Sequence, residues 1–411
     1  MHRPTQAATH VHTQGLKSIK RWKKNRNKCS VGTSRAYLQM ILAILILILL
    51  FSIGVPSQQS SYDPFRLAVE DPIQKASIPT VNKYEHSNSP SHKRFGQCTS
   101  DQMNKINARL KFDNKKCRYL KKNTKCPENS WIDDFDFKGE GPEDDDTNSF
   151  LGISIGCNKG YDAIKTARMG MSNVDFDSKS WASALKGGGG TGACNQKHLN
   201  VDSVVTKPAR KGEMHCVEPM PSTFKIISEA SSSLGLESKG FILTHAAISA
   251  SNGSIKFPNV KGGVENLGLD SCKAKTLSKL CEDVPMYSLQ TYVEKFVKGS
   301  GPINILQIDA EGFDFDILFG AGSVLDRTQY LEFEYHQSGT WANLHINDAV
   351  RLLDGKGFNC YWTGKKQLWR ITDCYFDSMC RAWSNVACVH RSQTGGLVEK
   401  MENIFLDTLL H

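Results

Sequence analysis

Short apolar runs alternate with amphipathic stretches from residue 149 to residue 391, and this alternation limits the fold more than any other feature of the sequence. The runs that predict strands are SFLGISIG (149–156), EMHCVEP (213–219), FILTHAAIS (241–249), INILQID (303–309) and YLEFEYH (330–336). Strands that alternate with helical stretches favour a mostly parallel sheet covered by helices on both faces. Two late runs, FNCYW (358–362) and SNVACVH (384–390), have no full crossover between them and predict an antiparallel edge.

Within this 149–391 domain the alternation fades between residues 166 and 211. That part is predicted to be a flexible insertion, placed as a lid over the site. It contains GGGGTG at 187–192, which is not a phosphate-binding P-loop because no Gly-Lys-[Ser/Thr] follows.

Two further segments flank the domain. Residues 98–148 are predicted to be a cysteine-containing linker segment, in which Ser100 and Asp101 can cap a short helix through Leu110. Residues 392–411 are predicted to be a C-terminal tail.

An uncharged apolar run lies far upstream of the domain, where Met40–Val55 reads MILAILILILLFSIGV. Together with residues 36–39 it forms a stretch of about 20 residues, which is enough to cross the hydrocarbon core of a bilayer. The basic residues lie before it, so the positive-inside bias places residues 1–35 in the cytosol as a tail. The alternative is a cleaved signal peptide, but its charged region would be unusually long and no small-x-small cleavage site follows. Residues 36–55 are therefore predicted to be a transmembrane signal anchor.

Residues 56–97 connect this anchor to the rest of the chain. They are rich in Ser, Pro and Gln and sustain no helical or strand period, which is typical of a stem. The order of tail, anchor, stem and large domain predicts a single-pass type II membrane protein of the secretory pathway, in the Golgi.

The net charge of +9 lies entirely in the tail. Residues 1–35 contain nine Lys and Arg and no Asp or Glu, which leaves 42 basic and 42 acidic residues in the rest of the chain. A domain without a basic excess has no electrostatic footprint for DNA or RNA. The predicted partners are therefore a membrane and a small-molecule or glycan acceptor, and not a nucleic acid.

Twelve of the 13 cysteines follow the apolar run, a density that suits an oxidising compartment. Zinc is the rival interpretation, but no CxxC pair occurs, so disulfides are favoured, their pairing is left open and no metal site is predicted. The one N-x-[Ser/Thr] sequon, Asn252-Gly253-Ser254, lies at a predicted hairpin turn and is a candidate glycan site.

The first two strands end in residues that suit a nucleotide. Gly156 and Gly160 bracket the turn after the first strand, where glycine lets the backbone approach a ligand closely. Glu218 ends the second strand, and an acidic residue there can accept hydrogen bonds from the ribose hydroxyls of an adenosine. The alternative for Glu218, a solvated carboxylate at a strand end, stays open.

The strand at 303–309 leads into a pair of carboxylates, Asp309 and Glu311. In open parallel sheets, ligands bind outside the carboxyl ends of the strands. Glu334 and His336 end the next strand and are expected on the same rim. Asp309, Glu311 and His336 are therefore the candidates for a catalytic base.

Six segments together resemble the FkbM-type methyltransferase family: SIGCNKGYD, CVEPMPSTF, HAAISASNGSIKF, VPMYSLQTYVEK, ILQIDAEGFDFDILFGA and AWSNVACVHR. The resemblance covers about residues 149–391. It implies a class I methyltransferase-like (Rossmann-like) α/β fold that binds S-adenosylmethionine. It places Gly156, Asn158 and Gly160 against the cofactor, assigns the ribose to Glu218, and matches Asp309 and Glu311 to the acidic pair of the family.

The sequence departs from the family pattern at two positions. Ser154 stands where the family usually has an aspartate that helps orient the methionine end of the cofactor, and Gln290 stands where the family has the aspartate of a Leu-Asp pair. Ser154 is counted with the cofactor-binding residues because of its position.

The resemblance implies transfer of a methyl group from a sulfonium to an oxygen, and the architecture favours a glycan or another hydroxyl acceptor of the secretory pathway. A type II Golgi glycosyltransferase is one alternative, since Asp175-Phe176-Asp177 and Asp314-Phe315-Asp316 have the Asp-x-Asp pattern that holds a metal-bound nucleotide sugar. A catalytically inactive, methyltransferase-like binding module is the other.

Overall fold

The computed structural model describes residues 95–110, 124, 130–133, 135, 149–171, 178–186, 211–374, 383–392 and 396–411. The predicted tail and anchor, and the stem up to residue 94, lie outside these residues. Within the part of the chain that is described, no helix has the length and apolar character needed to span a bilayer.

The described elements alternate along the chain as the sequence predicts. The strands are β1 Phe150–Ile155, β2 Gly212–Glu218, β3 Phe241–His245, β4 Ala247–Ser249, β5 Gly253–Pro258, β6 Cys281–Ser288, β7 Ile303–Ile308, β8 Thr328–Tyr335, β9 Phe358–Thr363, β10 Leu368–Arg370 and β11 Ser384–His390. The helices are α1 Ser100–Arg109, α2 Ser130–Asp133, α3 Tyr161–Gly170, α4 Ser178–Ala184, α5 Pro221–Ser233, α6 Leu289–Phe296, α7 Asp314–Phe319, α8 Ile346–Gly355 and α9 Leu397–Thr408.

Eight strands form the main sheet, in the order β10-β9-β11-β8-β7-β1-β2-β3. The strands from β8 to β3 are parallel, whereas β11 runs antiparallel to both β8 and β9. The central strand β1 is buried along its whole length, as expected for a strand in the middle of a parallel sheet. This sheet confirms the prediction of a class I methyltransferase-like α/β fold that is mostly parallel with an antiparallel edge region.

The apolar run 241–249 was predicted as one strand, and the structure divides it. β3 lies at the edge of the main sheet, whereas β4 joins a second sheet of order β4-β6-β5. The break falls at Ala246, which is fully buried. Periodicity alone cannot show such a change of sheet, because both halves of the run are apolar.

The predicted hairpin at Asn252 is wrong. β4 and β5 both pair with β6, which lies between them, so the two strands do not pair with each other. Asn252 is exposed in the loop between β4 and β5, and its side chain accepts from the Ser288 amide at the end of β6 at 2.8 Å and donates to Thr291 Oγ1 at 3.0 Å.

Part of the predicted insertion at 166–211 is packed helix. Residues 166–170 belong to α3, and α4 occupies Ser178–Ala184. Trp181 of α4 is fully buried and donates to the Lys159 carbonyl at 2.8 Å. These residues are thus part of the domain core, while the GGGGTG stretch lies outside the described residues.

The predicted C-terminal tail is also corrected, because residues 397–408 form α9 against β10 and β11. Phe405 is fully buried beside the Tyr361 ring. Glu402 is nearly buried and accepts from Arg370 at 2.7 Å and from the Tyr361 hydroxyl at 3.0 Å. An apolar stripe and a buried ion pair therefore attach this helix to the sheet.

All eight cysteines that the structure describes are paired, as Cys98–Cys374, Cys157–Cys216, Cys272–Cys281 and Cys360–Cys388. The preference for disulfides over zinc is confirmed for these residues. The first pair joins the segment before α1 to the loop after β10. In α1 itself, Thr99 and Gln102 form a reciprocal capping box, so the helix cap lies one residue before the predicted one.

We expect Phe405→Ala to lower the free energy of unfolding by about 3–5 kcal/mol, the usual cost of removing a buried phenyl ring. The adjacent Leu406 is 41% exposed and provides the control, since Leu406→Ala should change the value by less than about 0.5 kcal/mol. Urea denaturation of the full chain measures both. Equal effects of the two substitutions would show that α9 does not pack as described.

Candidate active site

An open cleft lies at the carboxyl ends of the central parallel strands, and its empty space of about 610 Å³ includes space open to solvent. It is bordered by the turn after β1, the end of β2, the β3–β4 junction, the turn after β7 and the loop after β5. The residues that line it include Gly156, Asn158, Glu218, Asp309 and Glu311. Five of the eight residues predicted to form the site therefore meet in one cleft, at the edge of the sheet where α/β proteins bind ligands.

The turns after β1 and β7 touch through their backbones. Gly156 has a φ of 70°, and a Cβ at this position would collide with the Asp309 carbonyl. The Asp309 amide in turn donates to the Ile155 carbonyl at 2.9 Å. A residue with a side chain would separate the two turns, so glycine at 156 sets the distance across the floor of the cleft.

Glu218 is buried to 95% and holds the end of β2 to the first turn. One carboxylate oxygen accepts from the Asn158 amide and the other from the Met220 amide, both at 2.8 Å. Burial raises the pKa of Glu218 to about 7, and the two amide hydrogen bonds oppose this shift. The carboxylate is thus fixed in orientation and keeps further acceptor sites for a ligand.

Asn158 carries a second acceptor on the cleft. Its backbone has a φ of 45°, a conformation that asparagine tolerates better than most residues. Its Oδ1 is buried and has no hydrogen-bond partner among the described residues. Because an unpaired buried carbonyl is costly, this atom suits a ligand that donates a hydrogen bond.

Three predicted residues do not line the cleft. Ser154 is buried within β1, between Cys216 and Gln307 of the neighbouring strands. Gly160 lies under the Trp181 ring, which occupies the space that a side chain at 160 would need. His336 lies on the rim, next to Glu311 and Glu334, but does not line the cleft.

The disulfide Cys157–Cys216 ties the first turn to β2. Cys157 directly follows Gly156, and Cys216 lies two positions before Glu218. It therefore reinforces the part of the cleft that the Glu218 carboxylate also holds.

A loop that sequence reasoning missed forms one wall of the cleft. We call residues 259–270 the cover loop; its residues 264–269 line the cleft. Lys159, nearly buried, pairs with Glu265 at 2.6 Å, and the Asn266 amide donates to Glu311 at 2.7 Å. The signal in the sequence was weak: apolar residues, among them Val264 and Leu267, spaced between glycines.

The rim of the cleft is rich in carboxylates. Asp309 is open to solvent at the mouth of the cleft but surrounded by protein on its other sides. Desolvation by that protein and repulsion, chiefly by Glu334 and Glu311, raise its pKa well above the usual value. The pKa of Glu334 is raised to about 8, first by burial and then by the charge of Asp314.

The lining residues of the cleft include four acidic side chains and no Lys or Arg. Among the described residues, Asp309, Glu311 and Glu334 have no ion pair with a basic side chain. Such an arrangement attracts cationic ligands.

The second Asp-x-Asp sequence is used within the fold. Asp314 is fully buried and accepts from the amides of Gly312 at 3.3 Å and Glu334 at 3.2 Å. Asp316 accepts from the Thr340 hydroxyl. Neither residue lines the cleft. The first Asp-x-Asp sequence, at 175–177, lies outside the described residues.

The raised pKa of Glu218 predicts a pH-dependent stability. The folded chain holds the Glu218 proton up to a pH of about 7, whereas the unfolded chain releases it near 4.5. The contribution of Glu218 protonation to the free energy of unfolding is therefore complete below pH 4.5. It is lost as the pH rises through 7, which lowers the free energy of unfolding by on the order of 3 kcal/mol. Glu218→Gln cannot titrate. The free energy of unfolding of the variant, relative to the unchanged chain, should rise between these pH values and then level off.

Urea denaturation at a series of pH values measures this difference. Because the Gln amide loses one backbone hydrogen bond at every pH, only the change with pH is diagnostic. Parallel curves for the two proteins would mean that Glu218 titrates normally and is not enclosed as described.

Comparison with known proteins gives one family match. Residues 191–360 match the family model described as the methyltransferase FkbM domain. The matched range contains Glu218, Asp309, Glu311 and His336; the first glycine turn lies before it and β11 after it. No curated protein matches the chain in sequence.

Several solved methyltransferase structures are similar at low identity. A precorrin-6y C5,15-methyltransferase from Geobacter metallireducens is 8% identical, over 64% of this chain and 86% of that chain, with a TM-score of 0.28. A human methyltransferase 10 domain containing protein is 6% identical, over 64% and 80%, with a TM-score of 0.27. The METTL16 MTase domain is 8% identical, over 64% and 66%, with a TM-score of 0.29.

These TM-scores are too low to support an argument from structure. The family match is the finding that bears on identity, and it agrees with the resemblance seen in the sequence motifs. The match of residues 191–360 to the methyltransferase FkbM domain is therefore consistent with membership of that family.

Proposed function

We propose that the chain is an S-adenosylmethionine-dependent methyltransferase that transfers a methyl group to a hydroxyl oxygen. One observation carries the proposal: the glycine turn after β1, Glu218 after β2 and Asp309 after β7 converge on a single cleft. The fold and the FkbM domain match support it.

The residues on the cleft fit this cofactor. Glu218 presents an oriented carboxylate for ribose hydroxyls, and Asn158 presents a buried Oδ1 that lacks a partner. The sulfonium and ammonium groups of S-adenosylmethionine are cationic, which suits a lining with acidic and no basic side chains. Asn158, rather than the buried Ser154, offers the acceptor for the methionine end.

The cofactor supplies a methyl group on a sulfonium, ready for in-line transfer. The chain has to orient the acceptor oxygen and remove its proton, since the positive charge on sulfur disappears during transfer. Asp309 and Glu311 lie on the rim of the same cleft and provide carboxylates for both tasks. Glu218 and Asn158 hold the cofactor through the oriented carboxylate and the free Oδ1 acceptor.

The glycosyltransferase alternative has less support. The Asp314 carboxylate accepts hydrogen bonds from backbone amides, and the Asp316 carboxylate accepts one from Thr340. These side chains are therefore not available to hold the metal ion of a nucleotide sugar. A binding module without activity remains an outcome that experiment separates from an enzyme.

We expect the purified full chain to bind S-adenosylmethionine and not a UDP-sugar in calorimetry. Glu218→Ala should weaken S-adenosylmethionine binding by about 1–3 kcal/mol, the cost of losing a charged hydrogen-bond acceptor. Glu229→Ala, on the exposed face of α5, is the control and should bind normally. Binding of a UDP-sugar alone would refute the proposal.

We also propose that the domain acts in the lumen of the Golgi, on a glycan or another hydroxyl acceptor. The apolar run 36–55 with its basic preceding tail supports this topology. Four disulfides in the described part of the chain suit an oxidising compartment.

The topology predicts protection from protease. In sealed membrane vesicles prepared with the cytosolic side outward, residues 56–411 should survive digestion and become sensitive once detergent is added. An antibody to the C-terminus reads the result on a gel. Digestion of the large domain without detergent would place it on the cytosolic side.

A further inference from the structure

Three groups able to bind a metal converge where β7 and β8 end. Glu311 follows β7, Glu334 lies within β8, and His336 directly follows β8. One potential ligand atom from each lies within 4.8 Å of the other two. We call these three residues the rim triad.

The fold holds the rim triad together through two interlocked turns. Gly312, with a φ of 103°, and Gly339, with a φ of 58°, meet backbone to backbone, and a Cβ on either would strike the other turn. The Thr340 amide donates to the Gly312 carbonyl at 2.9 Å. Glu311 itself has a φ of 52°, an uncommon conformation for a glutamate and of the kind that functional sites retain.

The His336 side chain is poorly satisfied in this position. It is only 9% exposed, and its Nε2 is buried without a hydrogen-bond partner among the described residues. Its Nδ1 has only a long contact of 3.4 Å from the Ser338 amide. The imidazole therefore makes no hydrogen bond to either carboxylate, although both are close.

The carboxylates are oriented from outside the triad. Trp383 Nε1 donates to Glu334 at 2.6 Å, and the Asn266 amide donates to Glu311 at 2.7 Å. Each of these bonds uses one oxygen, and the other oxygen can serve a further partner. Outer contacts of this kind orient the ligands of protein metal sites.

We propose that Glu311, Glu334 and His336 bind a divalent metal ion. An ion between the three groups would pair the buried imidazole nitrogen and balance carboxylates that have no basic partner. One nitrogen and two oxygen ligands suit Zn²⁺ or Mn²⁺ better than Mg²⁺ or Ca²⁺, which prefer oxygen alone. Three protein ligands leave open positions, as in metal sites that bind a substrate.

The ion gives the site a substrate class, and this step rests on the function proposed above. The open positions would hold the acceptor hydroxyl together with an adjacent oxygen, so the acceptor is a chelating one such as the vicinal diol of a sugar. The O–H bond breaks and its proton passes to Asp309, which lines the same cleft two residues before Glu311. The new O–CH₃ bond forms as the C–S bond breaks. The electron pair of the C–S bond stays on the sulfur and neutralises its positive charge.

The test is metal binding by the full chain, measured without any acceptor. After extraction with EDTA, the chain should bind one Mn²⁺ in calorimetry, and spin-echo spectroscopy should show one nitrogen coupled to the ion. His336→Gln should abolish the nitrogen coupling. Both His336→Gln and Glu334→Gln should weaken Mn²⁺ binding at least tenfold, while the exposed Asp283→Asn should not.

Circular dichroism checks that each variant is folded, and Glu311→Gln decides the matter if His336→Gln does not fold. Absence of Mn²⁺ and Zn²⁺ binding, or equal binding by the triad variants and Asp283→Asn, would overturn the proposal. S-adenosylmethionine binding in EDTA is measured alongside. If it persists while the metal fails to bind, only the metal site is wrong; if the metal binds and S-adenosylmethionine does not, the methyltransferase function is wrong.

Discussion

The backbone contact between the turns after β1 and β7 is the constraint on which the site depends. Gly156 lies against the Asp309 carbonyl, and the Asp309 amide returns a hydrogen bond to Ile155. This contact joins the turn after β1 to the acidic rim at a distance that no other residue at 156 would permit. The cover loop and Glu218 then close the cleft around a floor that is already fixed.

Much of the fold could be predicted because the central strands are buried along their length and flanked by amphipathic helices. The sequences of β1 and β7 are mostly apolar for that reason. The predictions from sequence were wrong where contacts between distant segments determine the local structure. α9 looked like a tail because its apolar stripe is short and its partners, such as Arg370, lie elsewhere in the chain. The β3–β4 break was hidden because both pieces are apolar.

The site residues at the ends of the parallel strands could be predicted from the sequence. Parallel strands bring their carboxyl ends to one edge, so Gly156, Glu218 and Asp309 could be grouped without a structure. The cover loop could not be, because its place depends on the Lys159–Glu265 pair and on Asn266, which are contacts between distant segments. The lack of a hydrogen-bond partner for His336 Nε2 could not be predicted from the sequence either, because it depends on which groups surround the ring in the folded chain.

The Cys157–Cys216 disulfide has a practical consequence for anyone who prepares this protein. It anchors the glycine turn to β2, next to the hydrogen bond that the Asn158 amide donates to Glu218. Material made in a reducing cytosol lacks this covalent tie, and its turn is held by hydrogen bonds alone. Affinities measured on such material would describe a looser cleft than the oxidised chain has, so the choice of expression compartment becomes part of the biochemistry.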